Sequence, residues 1–179
     1  MTDWIMWSLS AKWSWAVVIL SVYLLVTVQH DRKNWLWVLI GIALCFLLAD
    51  QISNNAIKDG VQRLRPCYAL ENVHMFREGR GGMYGFVSSH AANVFAIAMF
   101  FSLLYGKKNN IPKSSPSLLP FLMFLWAIMV SYSRCYLGKH YPGDVLCGAL
   151  LGLGVGAVVY FVISKTRAWI SSKSSERNT

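Results

Sequence analysis

The chain has 179 residues, of which 55% are hydrophobic and only 14% charged, against about 25% charged in a typical soluble domain. That length suits one domain, and the composition excludes a disordered chain and an ordinary soluble globule, because so small a body cannot hide so much apolar surface. The net charge of +9, from 17 basic and 8 acidic residues, fits the Lys/Arg excess of cytoplasmic loops before it calls for an anionic partner.

The first ten residues interleave Trp4, Ile5, Trp7 and Leu9 with Asp3, Ser8 and Ser10, and Lys12 follows. This pattern predicts an interfacial amphipathic helix over 1–12, with its tryptophans at headgroup level. It lacks the basic start and small-residue cleavage site of a signal peptide. Five strongly apolar segments come next: Trp13–Val28, Trp35–Ile52, Ala91–Tyr105, Leu118–Tyr132 and Val145–Ser164. A spanning helix needs ~20 mostly apolar residues. The third and fourth are short, but Ser88–Ala91 and Ser131–Leu137 can lengthen them. The predicted fold is therefore all-α, a polytopic membrane bundle of five transmembrane helices, with 1–179 as a single domain.

Five spans divide the loops between two sides. One carries nine basic residues: Arg32, Lys33, Lys107, Lys108, Lys113, Lys165, Arg167, Lys173 and Arg177. The other carries eight: Lys12, Lys58, Arg63, Arg65, Arg77, Arg80, Arg134 and Lys139. Subtracting the members of the second set that act on a ligand places the C-terminus, with its basic tail 165–179, in the cytoplasm. Segments 53–90 and 133–144 then lie outside.

Three polar clusters sit on that outer side, each at the end of a span. Lys58 and Arg65, followed by Pro66, are seven apart, so on a continuous helix they share a face, which Gln51 extends. Two such cations can clamp a phosphate, or simply snorkel to the interface. Ser88-Ser89-His90 opens the third span, where a serine cap and free backbone N–H groups favour an anion. A capping serine beside an unrelated histidine reads equally well. Ser133-Arg134 and His140 lead to Asp144, four residues on, which can accept from one imidazole nitrogen and leave the other free to attack. Together the clusters supply what phosphoryl transfer through a phosphohistidine needs. Cations and N–H groups stabilise the equatorial oxygens, one histidine attacks, and the other serves as acid and base. No metal and no other cofactor is required, because the cations neutralise the charge.

These residues resemble the type-2 phosphatidic acid phosphatases, membrane lipid phosphate phosphatases that share a core with vanadium haloperoxidases. Lys58 to Arg65-Pro66 matches that family's first motif, and Ser133-Arg134 through His140 to Asp144 matches its third. The second matches at Ser88 and His90, with Val87 and Ser89 in place of proline and glycine. The likeness covers about residues 50–160. It implies His140 as nucleophile, Asp144 as its orienting carboxylate and His90 as general acid and base. It implies Lys58, Arg65, Ser88, Ser89 and Arg134 as the phosphate holders. The family usually has six spans, so the N-terminal helix can be a reduced first one.

The function expected is a metal-independent lipid phosphate or diphosphate phosphatase working at the outer face of a bacterial inner membrane. Its partners are the bilayer and a lipid with a phosphate headgroup, not nucleic acid. The absence of N-glycosylation sequons and the small size lean to a bacterial member. Lipid A and undecaprenyl diphosphate are the leading substrates. Phosphatidylglycerophosphate or phosphatidate, or a catalytically silent lipid-phosphate-binding protein, is the alternative. Cys67 and Cys135 follow Pro66 and Arg134, so an external disulfide and two free thiols both stay open. The loop from Cys67 to Gly85, with Glu71, His74, Arg77, Glu78 and Arg80, reads as a headgroup-selecting lid or as an ordinary solvated loop.

Overall fold

The computed structural model describes residues 1–30, 34–77, 79–106 and 118–177. Arg32, Lys33, Lys107, Lys108 and Lys113, five of the nine basic residues on the cytoplasmic side of the topology argument, lie outside the described residues, as does Glu78. Helix α1 (Thr2–Ser10) is followed by α2 (Lys12–His30), α3 (Trp35–Gln51), a π-helical stretch (Ile52–Lys58) and a helical turn α4 (Asp59–Val61). The short α5 (Pro66–Ala69) precedes α6 (Ser89–Tyr105), α7 (Leu118–Tyr136) and α8 (Pro142–Glu176). Among the described residues there is only one isolated β-bridge, between Leu64 and Tyr84.

Among the described residues, three stretches are individually long and apolar enough to cross a membrane, Trp35–Val61, Leu118–Tyr136 and Pro142–Glu176. The pair Thr2–Ser10 and Trp13–Leu24 qualifies as one bent unit, with a 63° bend. Helix α6 is shorter, but it occupies the middle of the bundle. Eleven of its 17 residues are buried, among them Ile97, Phe100 and Phe101. Its neighbours are α3, α7 and α8, so packing rather than length holds it in place. Outward-facing Leu150 (69% exposed), Leu146 and Phe121 give the rim an apolar surface suited to lipid.

Close contact between α6 and α8 comes from small residues. Gly148, Gly152 and Gly156 recur every fourth position on α8, one above another. A Cβ added there would lie 2.5 Å from the carbonyl oxygen of Ser88, 2.3 Å from that of Ala92 and 2.3 Å from that of Ala96. The two backbones therefore meet with nothing between them, the small-residue packing typical of helices in lipid. This ladder joins the start of α6 to the start of α8, and the Ser88 amide donates to the Asp144 carbonyl at 2.9 Å.

The face expected to carry both Lys58 and Arg65 does not form. Gln62 adopts the left-handed region (φ 51°) and stops the helix, and Arg65 sits in extended backbone before Pro66 opens α5. Residues 63–65 instead run antiparallel to 83–85, with Arg65 N–H to Met83 O at 3.0 Å and Gly85 N–H to Arg63 O at 2.8 Å. Gln51 is exposed, outside the group of residues near Lys58. All four cysteines are unpaired, so Cys67 and Cys135 are not joined.

Candidate active site

A cavity of about 580 Å³ opens at the end of the bundle where α3, α6 and the 137–141 turn meet. Its wall includes Lys58, Arg65, Ser89, His90 and His140, residues far apart in sequence, together with Asp50, Asn54, Asn93 and Trp15. The sequence thus placed chemistry on three helix ends, and the packing of α3, α6 and α8 brings those ends to one space.

His140 is 3% exposed, and its Nδ1 lies 2.9 Å from the Gly85 carbonyl oxygen. A carbonyl only accepts, so Nδ1 carries the proton and Nε2 keeps its lone pair. Asp144, fully buried, was expected to supply that hydrogen bond. Its Oδ2 is 3.8 Å from Nδ1, a distance of charge contact only. Asp144 instead accepts from the Tyr141 backbone N–H at 2.9 Å through Oδ2 and from Arg63 at 3.1 Å through Oδ1. The first of these contacts caps α8. Burial pushes the imidazole of His140 down to about 4. Asp144 opposes that shift, and the charges of Arg65, Arg134 and Lys58 add to it. At neutral pH His140 is an uncharged base with an open nitrogen.

Lys58 Nζ donates to Asn54 Oδ1 and to Ser89 Oγ, and Ser89 Oγ donates to Asn54 Oδ1 at 2.8 Å. Ser89 begins α6 and is not among the residues of positive φ, so its side chain is unstrained there and serves as a partner to Lys58. Arg65 is anchored by its Nε on the Tyr84 carbonyl at 3.1 Å. The ring of His90 meets the edge of Trp15 with centroids 4.9 Å apart.

Two expected phosphate holders stand outside the cavity wall. Ser88 caps α6, its Oγ accepting from the Ala91 amide at 3.4 Å. Arg134 is buried, donates to Ser10 Oγ, and offers its carbonyl to the amides of Lys139 and His140. Its charge still reaches His140. Next to it Gly138 sits at φ +66°, where a Cβ would strike Val73 at 2.2 Å, so this turn needs glycine. Among the described residues, none of the 67–85 loop lines the cavity. That loop holds α1 instead. Asp3 Oδ1 accepts from Tyr136 at 2.8 Å and lies 3.0 Å from His74 Nε2, and Arg77 stacks 4.4 Å over Trp4.

Sequence reasoning gave no role to Arg63, Asn93 or Trp15, nor to Asp50, although Asp50 could be paired with Asn54 or Lys58 from its position. Asp50, Asn54 and Lys58 recur every fourth residue, a legible signal. Nothing in the sequence signalled that Arg63 would reach across to Asp144. Among the described residues, no group of three or more His, Cys, Asp or Glu side chains could hold a metal ion.

A sequence profile of the PAP2 superfamily matches residues 34–168, most of the chain. The chain belongs to the PAP2 superfamily. It is similar to a lipid A 4'-phosphatase of Bacteroides thetaiotaomicron, 35% identical over 174 residues, covering 95% of this chain and 73% of that one. A lipid A 4'-phosphatase of Porphyromonas gingivalis is 29% identical over 170 residues, covering 92% of this chain and 67% of the relative. Among solved structures, a transmembrane PAP2-type phosphatidylglycerolphosphate phosphatase from Bacillus subtilis superposes with TM-score 0.64 at 20% identity, covering 94% of this chain and 78% of that one. Aquifex aeolicus LpxE superposes with TM-score 0.59 at 22% identity, covering 88% and 84%. These two share the fold of this superfamily member.

Proposed function

We propose that this PAP2 phosphatase removes a phosphate from lipid A by way of a phosphohistidine on His140, without a metal. The chain is a lipid phosphate phosphatase of its superfamily. The observation that carries the finer reading is the convergence of His140, His90, Lys58, Arg65 and Ser89 on one cavity, in a chain 35% identical to a lipid A 4'-phosphatase.

Lys58 and Arg65 bind the phosphate oxygens, and their charges stabilise the transition state. His140 Nε2 attacks phosphorus, the P–N bond forms, and the P–O bond to the sugar breaks. His90 gives its proton to the leaving oxygen. It then takes a proton from water as the water oxygen displaces His140 and phosphate departs. Asp144 stabilises the positive charge that grows on His140 during attack.

The same reading covers placement. The protein is an integral membrane protein, and we place it in a bacterial inner membrane with the catalytic end facing the periplasm and the C-terminal tail in the cytoplasm. Helices α2, α3, α6, α7 and α8 make five spans, with α1 as the interfacial helix and 50–160 as the catalytic core of a single domain. The ends of α3 and α7 and the starts of α6 and α8 all lie at the catalytic end, which supports alternating spans.

The test is phosphate release by the detergent-purified protein in EDTA, offered lipid A, undecaprenyl diphosphate, phosphatidylglycerophosphate and phosphatidate beside a His140→Ala control. Release is expected to be greatest from lipid A and absent from the control. Metal-dependent release, or a preference for another lipid, contradicts the reading.

A further inference from the structure

The cavity is larger than a phosphate needs; about 580 Å³ lies within the ~300–1,000 Å³ of sites that enclose a whole small molecule. Its wall changes character with depth. Lys58 ends the π-helical stretch, with Asn54 further in along that stretch and Asp50 further still, at the end of α3. On α6, Asn93 lies one turn inside His90. Trp15, whose ring meets His90, and Ala16, Ile19 and Phe46 complete the wall with apolar or nearly apolar surface. A lipid whose phosphate rests on Lys58 and Arg65 therefore sets its linking backbone beside Asp50 and Asn93, and its chains beside the apolar wall.

Asn93 is 3% exposed, and among the described residues its Oδ1 is buried with no hydrogen-bond partner. An amide oxygen left so is costly to bury, and such groups are rare in folded proteins. Asp50 adds a carboxylate to the same wall, inside an apolar helix where ionisable groups are costly and usually functional. A carboxylate accepts hydrogen bonds and donates none. The Asp50 carboxylate thus offers acceptors, and Asn93 a second polar side chain, to whatever links phosphate to acyl chain.

We infer that Asp50 and Asn93 form a subsite for hydrogen-bond donors, selecting phospholipids whose backbone next to the phosphate bears hydroxyl or amide N–H groups. This rests on the phosphatase reading and deepens it. An acylated amino sugar carries such donors; a fully esterified glycerol or a prenyl chain carries none. A site built to bond a donor rejects the analogue lacking it, because its own polar groups are then left unpaired.

The experiment measures kcat and KM of the full-length detergent-purified protein for two lipids. Ceramide 1-phosphate carries an amide N–H and a hydroxyl beside its phosphate, and phosphatidate carries neither. If either is not cleaved, the inhibition constants of both against lipid A hydrolysis take the place of kcat/KM. The wild type is expected to favour ceramide 1-phosphate, and Asn93→Leu to reduce that preference about tenfold, through KM. Because the Asn93 oxygen has no partner in the protein, leucine is expected to leave Tm unchanged or raised, whereas a structural amide would lower it. Asp50→Asn is expected to shift the preference in the same direction. An equal loss on both lipids would mean that Asp50 and Asn93 act through Lys58, which feels the charge of Asp50, and overturns the inference. So does a wild type without preference, or a ratio that does not move. Lipid A hydrolysis by the wild type is scored alongside. No hydrolysis with a responsive ratio overturns the substrate reading and leaves the subsite standing. Hydrolysis with an unresponsive ratio overturns the subsite alone.

Discussion

The α6–α8 contact and the cavity above it are built on opposite principles. In the contact, glycines every four residues let two backbones touch, and the nearest atoms are backbone atoms of Ser88, Ala92 and Ala96 and the Cβ atoms of Ala91 and Met99. Around the cavity, Lys58, Asn54, Ser89, His140 and Asp144 are held by hydrogen bonds to side chains, to the Gly85 carbonyl and to the Tyr141 amide. Yet the second depends on the first. Ser88 N–H reaches the Asp144 carbonyl only because Gly148 brings the start of α8 against the start of α6. Backbone proximity sets the spacing between His90 and the His140–Asp144 turn, and the polar network then orients the side chains.

Breaking the contact is expected to have the largest effect on stability. Gly152→Leu puts a Cβ 2.3 Å from a backbone oxygen that cannot move aside. It should cost about 3 kcal/mol or more and abolish activity with it. Gly154→Leu, two residues on, meets nothing within 4 Å and should leave the detergent melting temperature where it is. Equal melting of the two variants would refute the ladder.

Lys58→Ala leaves the contact intact and removes one cation from the cavity. Activity should fall about 10²-fold while the fold melts near the wild-type temperature. Loss of fold instead would assign Lys58 to structure.

A finer probe uses pH. kcat/KM reports the free enzyme. His140, held at about 4, is protonated only as pH falls through that value, so the acid limb should lie near 4 rather than near 6.5. Arg63 draws on the charge of Asp144 from a side chain that is 45% exposed, so the pair is worth about 1 kcal/mol rather than the ~3–5 of a fully buried one. In Arg63→Ala, Asp144 is freer to stabilise the protonated imidazole. The acid limb should then move to higher pH. A limb that stays or moves lower would mean that Asp144 does not act on His140.

Much of this was legible in the sequence, and what was not has physical causes. The apolar segments and the residues His90, His140, Asp144, Lys58 and Arg65 could be named because polar groups at span ends are costly and stand out. The shared helical face of Lys58 and Arg65 could not have been corrected from spacing, since it fails at a single left-handed residue, Gln62. Asp144 was paired with His140 by its one-turn spacing, but the cap of α8 and Arg63 claim its oxygens and leave the imidazole to Gly85. A backbone carbonyl 55 residues away has no sequence signature. The Gly148–Gly152–Gly156 ladder and the Asp50–Asn54–Lys58 row were both present as fourfold spacings. Their partners lie on α6, so only the folded bundle shows what each row faces.

The central claim is that His140 is the nucleophile. Its most direct test is to mix the protein with lipid A carrying ³²P, quench in alkali within the first turnovers, and look for label on the protein that acid removes. The account predicts alkali-stable, acid-labile label in the wild type, mapped to the peptide containing His140 and absent from His140→Gln. No label on the wild type under turnover, or label that survives in His140→Gln, would contradict it.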